Sequence, residues 1–511
     1  MPTALTKTAT IIGIDAHIIE VEADVSIGMG VFNIVGLPDG TIKESRERIV
    51  AALNNSCGEF PIRKVVVNLA PADVKKVGTG FDLPVALAVL EASHQIPRGC
   101  LKDYLIVGEL ALNGKIRPID GILAIALSAK KAGIKTLIVP EENGPAAAIV
   151  DSLSILTASH IQQLFDHFTE NAFLSEATSQ LEQSDFEPHG EFLDFSDVKG
   201  QESAKRALEI AAAGKHNVLL TGPPGSGKSM LSKRLPGILP PLSFDEALEV
   251  TKIHSIAGTI SKSHQLVNQR AFRSPHHSTS GAGLIGGGTY PRPGEVSLAH
   301  HGVLFLDEFP EFPRSILDLL RQPLEDKRVV ISRANVSLQF PSDFVLLAAM
   351  NPCPCGYLGS EGKECVCSNT SVLKYRSKIS GPLLDRIDMQ IEMPALSYEE
   401  MNFAKKGESS ETIRERVLAA RKAQLSRFAD TTTNYNSNMT HAEVELFCKL
   451  ETEGHELLAG VLQKHRLSGR AHDSILKVAR TIADLEKSPA IRTWHLSEAV
   501  NYRCLDRELY F

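Results

Sequence analysis

Residues 222–229 read GPPGSGKS and meet the pattern G-x-x-x-x-G-K-[ST] at every fixed position. The apolar run HNVLL precedes them and the helix-forming run KSMLSKRL follows, the strand–loop–helix context that a phosphate loop needs. Such a loop is delivered by a buried strand and received by a helix, so the surrounding chain is expected to be a parallel-sheet α/β unit. Gly225 and Gly227 let backbone N–H groups close around phosphate oxygens, and Gly222, Pro223, Pro224 and Ser226 supply the rest of the loop. Lys228 can reach the β- and γ-phosphates and Ser229 can ligate Mg²⁺, so ATP and Mg²⁺ are the expected cofactors. The competing reading is a Gly-rich turn that only joins strand to helix.

Residues 302–308, GVLFLDE, are an apolar strand ending in two acids. Asp307 would hold Mg²⁺ through water, and Glu308 would polarise the attacking water. A further strand, FVLLAAMNP, ends on Asn351, a polar group suited to orient that water; alternatively, Asn351 only initiates a turn before Pro352.

The chain has 511 residues, too many for one ordinary domain. Its 43% hydrophobic and 23% charged content is globular, which argues against disorder or fibrous repeats over most of the length. No apolar run approaches the roughly 20 residues that span a bilayer. The N-terminus lacks the apolar core of a signal peptide, so a cytoplasmic, multidomain protein without a membrane partner is expected. Residues 1–168 mix strand-like runs (KVVVNLA, YLIVGEL, KTLIVP) with helical ones (SRERIVAAL, PVALAVLEA, ILAIALSAKKAG), an α+β domain. Residues 169–193 hold six acids and no Lys or Arg and read as a linker. Residues 194–395 alternate strand and helix, and 396–511 are helical throughout.

Four of eight cysteines fall together: Cys353, Cys355, Cys365 and Cys367. Two C-x-C pairs across a Gly-containing loop can supply four thiolates to a tetrahedral Zn²⁺. The one-residue spacing is tighter than usual, and unligated thiols or an Fe–S cluster are the other readings. Disulfides are disfavoured in a reducing cytosol.

The loop at 222–229, the acids at 307–308, AAMNP at 349–352 and LLDRID at 383–388 resemble an AAA+ ATPase of the magnesium-chelatase type. The stretch RSPHHSTSGAGLIGGGTYPRPGEVSLAHHGVLFLDE, residues 273–308, narrows the resemblance to the ComM (YifB) competence branch, over essentially the whole chain. The resemblance implies an ATPase ring, typically a hexamer, with active sites shared between neighbours. It places Arg386 as the arginine finger reaching the adjacent subunit's γ-phosphate, and Arg470 as the sensor arginine of a helical lid. An internal Arg386 salt bridge to Asp385 or Asp388, and a solvated Arg470, are the bland alternatives. It also implies a zinc-binding loop at the cysteines, and DNA as substrate: branch migration on branched, single- or double-stranded DNA in natural transformation, with recombination proteins as partners. Metal insertion by a chelatase-type motor and protein remodelling are the rival functions; an N-terminal region lacking in the chelatases is expected to separate this chain from them.

Residues 109–143 resemble the Lon-protease fold, which is ribosomal S5-like. Lon-type proteases use a Ser–Lys dyad. Here Leu123 stands at the lysine position and Gly80 or Phe81 at the serine position, so no peptidase activity is expected unless Ser93 or Lys115 forms a displaced dyad. A DNA-facing role follows by analogy with RadA-type recombination proteins.

The net charge of −7 excludes a basic coat over the whole surface, so nucleic acid would need a local patch. Lys262, Arg270, Arg273 and Arg292, with His264, His276, His277, His300 and His301, form one candidate insert. The run 327–340 predicts a hairpin carrying Lys327, Arg328 and Arg333, expected to line a ring pore. Local packing of the histidines, metal binding by their pairs and a solvated hairpin edge are the alternatives.

Overall fold

In the computed structural model, residues 3–76, 78–178, 193–259, 266–288, 291–333, 336–360, 363–396, 406–465 and 467–503 are described. Lys262, His264 and most of the predicted linker lie outside them. The chain divides into two compact units: residues 1–187 with 247–267, and residues 188–246 with 268–511.

The first unit is built on an eight-stranded mixed sheet. Its strands are β1 (Ala4–Ile12), β2 (Asp15–Ser26), β3 (Val31–Val35), β4 (Lys64–Ala70), β5 (Tyr104–Ile106), β8 (Thr136–Pro140), β9 (Ser154–Ala158) and β10 (Ser175–Glu176); β6 (Glu109–Leu110) and β7 (Ile116–Arg117) form a separate ribbon. The sheet order is β10-β9-β8-β5-β1-β2-β4-β3. In β4 every second side chain is buried, the period that a half-buried strand imposes. The helix Asp82–Ala92 is apolar all round and buried along nearly its whole length, whereas the helix Ile161–Phe168 is amphipathic and capped by His160 with Gln163. The antiparallel β1–β2 pair at the middle of the sheet follows from the alternation of threonine in β1 and of charged and apolar residues in β2 around the short turn at Gly13. Within the span read as linker, β10 pairs with the edge of β9. Residues 247–267, inside the sequence span of the ATPase core, belong to this unit through a Lys252–Asp15 ion pair of 2.6 Å and a 3.0 Å bond from the Gly121 N–H to Ser255.

Leu123 is buried in the helix Ile122–Lys131, and Phe81 is buried in the core cluster of the first unit. Ser93 Oγ donates to Val89 O at 2.8 Å and Lys115 is exposed, so neither forms the displaced dyad in this arrangement. The charged group near the vacated positions is Asp82, fully buried and bound by Arg48 at 2.8 and 3.1 Å. Burial pushes the Asp82 carboxyl up, and the Arg48 guanidinium opposes that shift.

The second unit holds a five-stranded parallel sheet in the order β12-β15-β18-β11-β19, with β11 (Val218–Thr221), β12 (Phe272–Arg273), β15 (Val303–Leu306), β18 (Val345–Met350) and β19 (Met389–Glu392). All residues of β11, β15 and β18 are buried, as expected of parallel strands covered on both faces. Two ribbons complete it: β13 (Gly286–Gly287) with β14 (Arg292–Pro293), and the predicted hairpin β16 (Arg328–Arg333) with β17 (Val336–Pro341). Helices Ser410–Arg427, His441–Phe447, Thr452–His465, Gly469–Leu485 and Thr493–Asn501 follow, and their apolar faces share one core with the sheet and the helix Glu202–Gly214.

Arg48→Ala leaves the Asp82 carboxylate buried without its partner, and the first unit is expected to lose about 3 kcal/mol. Urea unfolding followed by circular dichroism checks this; adding Asp82→Ala to that variant should recover part of the loss.

Candidate functional site: a phosphate loop, an acid pair and a cysteine loop

The site begins where three neighbouring parallel strands end. β11 pairs with β18 so that Thr221 faces Met350, and β18 pairs with β15 so that Ala348 faces Leu306. The residues just beyond, Gly222, Asn351 and Asp307, therefore leave the sheet on one edge, where ligands of open α/β sheets bind. Gly225 and Gly227 have φ of 79° and 90°, a backbone that a side chain would strain, and Gly227 leads into the helix Lys228–Ser232.

Lys228 is buried; its Nζ donates to Gly222 O at 2.7 Å and Pro223 O at 2.9 Å, with Asn351 Oδ1 at 3.3 Å. Burial lowers the Lys228 pKa, while the Asp307 charge works in the opposite direction. Ser229 Oγ donates to Asp307 Oδ2 at 2.6 Å. A hydroxyl and a carboxylate oxygen side by side are the donor types that Mg²⁺ takes, directly or through its waters. Glu308 adopts a left-handed backbone (φ 51°), and its N–H donates to Asp307 Oδ1 at 2.9 Å. Its carboxylate lies 3.1 Å from His277 Nδ1. Sequence reasoning treated His277 only as part of an insert; a histidine just after β12, the strand beside β15, was the available signal.

The phosphate loop, Asp307, Glu308 and Asn351 are thus brought together, and Arg386 and Arg470 are not among them. Both arginines converge on Glu325: Arg386 Nη2 pairs with Oε2, and Arg470 Nη2 donates to Oε1 at 2.7 Å. The Arg386 guanidinium foremost holds the Glu325 carboxyl below its usual range. Asp388 instead meets His216 at 3.5 Å and Ser474 at 2.8 Å, so the simple Arg386–Asp388 bridge is absent. The two arginines line a cleft of about 760 Å³ with Lys215, Lys327 and Lys477, and no phosphate-loop residue borders it.

The four cysteine sulfurs lie within 4.8 Å of one another. Cys353–Cys355 is 3.4 Å, and Cys365 is 3.6 Å from each of them. Sulfurs at the corners of a Zn²⁺ tetrahedron with 2.3 Å bonds stand about 3.8 Å apart, whereas a disulfide needs about 2.05 Å. The donor set fits Zn²⁺, and all four thiols are free. Backbone N–H bonding, that of Tyr357 foremost, lowers the Cys355 thiol, while the neighbouring sulfurs push Cys365 and Cys367 up, as expected of thiols crowded together.

The expected basic insert is mostly committed to internal pairs. Arg273 grips Glu295 at 2.6 and 2.7 Å, and Arg270 binds Glu246 at 2.9 Å together with three backbone carbonyls. Lys327 lies 3.6 Å from Asp343. Arg292 and Arg328 are exposed; the Arg333 side chain is outside the description. His276 bonds Ser278 in a local turn, whereas His300 accepts from the N–H of Asp343, 43 residues further along the chain.

Comparison with known proteins adds the family. Residues 194–401 match the family model described as magnesium chelatase, subunit ChlI; residues 407–503 match its C-terminal model, and 21–143 the model described as subunit ChlI of Mg-chelatase. The last match removes the N-terminal region as a means of separating this chain from the chelatases. The chain is 43% identical to the uncharacterized protein YifB of Escherichia coli, over 100% of this chain and 98% of that one. It is 42% identical to the competence protein ComM of Haemophilus influenzae, over 100% and 99%. A quarter of the chain is similar to part of the Lon protease of Geobacter metallireducens, 28% identical over 25% of this chain and 16% of that one.

Lys228→Ala is expected to abolish binding of a fluorescent ATP analogue. Glu308→Gln should keep binding and lower kcat by about 10²-fold or more. Metal analysis of the purified chain should find one zinc per chain, lost in Cys365→Ser.

Proposed function

The chain belongs to the magnesium-chelatase family, in the branch of YifB and ComM, and from that premise we propose that it is an ATP-hydrolysing ring motor acting on DNA. In this reading it is a hexameric helicase that drives branch migration while incoming DNA is recombined; the competence named for one relative supports the link to natural transformation.

ATP lies on the 222–229 loop, with Lys228 on its β- and γ-phosphates and Mg²⁺ held by Ser229 and, through water, Asp307. Glu308 takes up the proton of the attacking water, and Asn351 orients that water. One observation carries the ring: Arg386 and Arg470 stand together in a cleft that no phosphate-loop residue borders. A neighbouring copy that seats its nucleotide there lets the two arginines neutralise charge developing on its γ-phosphate. DNA would follow a channel formed in the assembly, to which Arg292 and Arg328 contribute exposed charge. Among the described residues no helix is long and apolar enough to cross a membrane.

The three matches to chelatase-subunit models favour a second reading, a motor that acts through a protein partner in metal insertion or remodelling. ATP hydrolysis measured without DNA and with duplex, single strand or a mobile branched junction, at fixed salt, separates the two. Junction-dependent stimulation that disappears in Glu308→Gln is the expected result; hydrolysis indifferent to every DNA overturns the DNA reading and favours the partner-dependent one.

For the shared site, Arg386→Ala should lower kcat by about 10³-fold or more. Mixed with Lys228→Ala, it should regain activity that neither variant has alone. Mixtures as inactive as their components would sink the shared site.

A further inference from the structure

The four-cysteine loop starts and ends at the ATP site. It leaves β18 at Asn351, whose Oδ1 lies 3.3 Å from Lys228 Nζ, and Cys353 is only two residues on. Beyond Cys367 the chain enters the helix Asn369–Arg376, whose last residues turn back on the same spot. Arg376 Nε donates to Pro352 O at 3.3 Å, and the buried Tyr375 hydroxyl meets the Asn351 backbone. In between, Gly356 is buried with φ 87°, and a Cβ placed on it would stand 2.7 and 2.8 Å from ring carbons of Pro224 in the phosphate loop. That close approach is open only to glycine.

The loop that makes this approach carries a few short ties of its own, the Ser360 N–H to Tyr357 O at 3.1 Å and the Lys363 ammonium 4.4 Å from the Tyr357 ring among them. The sequence between its cysteine pairs is GYLGSEGKE, polar and glycine-rich, and ordering such residues costs about 1–2 kcal/mol each. Two of its ties run to sulfur, the N–H of Leu358 to Cys353 Sγ at 3.3 Å and that of Cys355 to Cys367 Sγ at 3.4 Å, and the Gly356 N–H is itself held by Cys353 O at 3.0 Å. Whatever gathers the four sulfurs therefore sets the position of Gly356 against Pro224.

We propose that the four-cysteine loop is a positioning element of the ATP site: with its thiolates gathered on one Zn²⁺, it holds Gly356 against Pro224 and keeps Asn351 beside Lys228. Gly356 is a positioning residue, acting on nucleotide through Pro224. Loss of the metal, or oxidation of the thiols, then loosens the phosphate loop without touching any group that contacts ATP. This rests on reading 222–229 as the ATP loop and the cysteines as zinc ligands, and not on the DNA reading.

The test uses the full chain without DNA. Zinc content, affinity for a fluorescent ATP analogue and steady-state KM and kcat are measured on the protein as purified, after a zinc-selective chelator with Mg²⁺ resupplied, and after zinc is returned. A Gly356→Ala variant runs alongside. Removal of zinc is expected to weaken analogue binding and lower kcat by about tenfold or more, the scale on which small misplacements act, with recovery on zinc return. Gly356→Ala should reproduce the loss while keeping its zinc. A protein purified without zinc, unchanged analogue affinity after stripping, or Gly356→Ala with normal zinc and normal affinity would each overturn the proposal. A failed DNA reading leaves all of these measurements unaffected.

Discussion

Parallel pairing among β15, β18 and β11 sets the level at which every reacting group of the candidate site leaves the sheet. The strands are buried on both faces, so their register is held by the core on either side. Because parallel strands all end on one edge, a phosphate loop, an acid pair and an amide that lie far apart in sequence emerge as neighbours. The Ser229–Asp307 and Lys228–Asn351 contacts follow from that register, since Asp307 and Asn351 directly follow their strands and the phosphate loop turns back over the end of β11. The cysteine loop inherits its position from the same constraint, beginning two residues past β18.

Charge is distributed by a different logic. The chain is acidic overall, and many of its arginines and lysines in the second unit are taken up by internal carboxylates and carbonyls. Arg270, Arg273 and Lys327 serve the fold, because a buried or half-buried cation without a partner costs more than any exposed pair returns. Arg386 and Arg470 are the informative exception. They share a single carboxylate in a polar cleft. Counting basic residues in a sequence segment therefore overstates the charge available to a nucleic acid.

The first unit keeps a protease-like sequence pattern with apolar and ion-paired residues where a dyad would stand. Leu123 and Phe81 pack into the interior, and Asp82 is closed off by Arg48.

The sequence by itself determined the phosphate loop, the acid pair, Asn351 and the cysteine donor set, because each depends on residue types at short spacing within one strand–loop segment. It also determined the alternation of buried strands and helices around them, and the hairpin at 327–340. Tertiary structure alone decided what long-range partners do. Periodicity cannot tell that Arg386 and Arg470 meet on Glu325, more than sixty residues from one and more than a hundred from the other. Nor can it tell that Arg273 is spent on Glu295, that residues 247–267 belong with the first unit, or that Gly356 rests on Pro224. Those outcomes depend on which surfaces the packed sheet and helices bring within a few ångströms, where burial makes an unpaired charge or a misplaced methyl group too costly to keep.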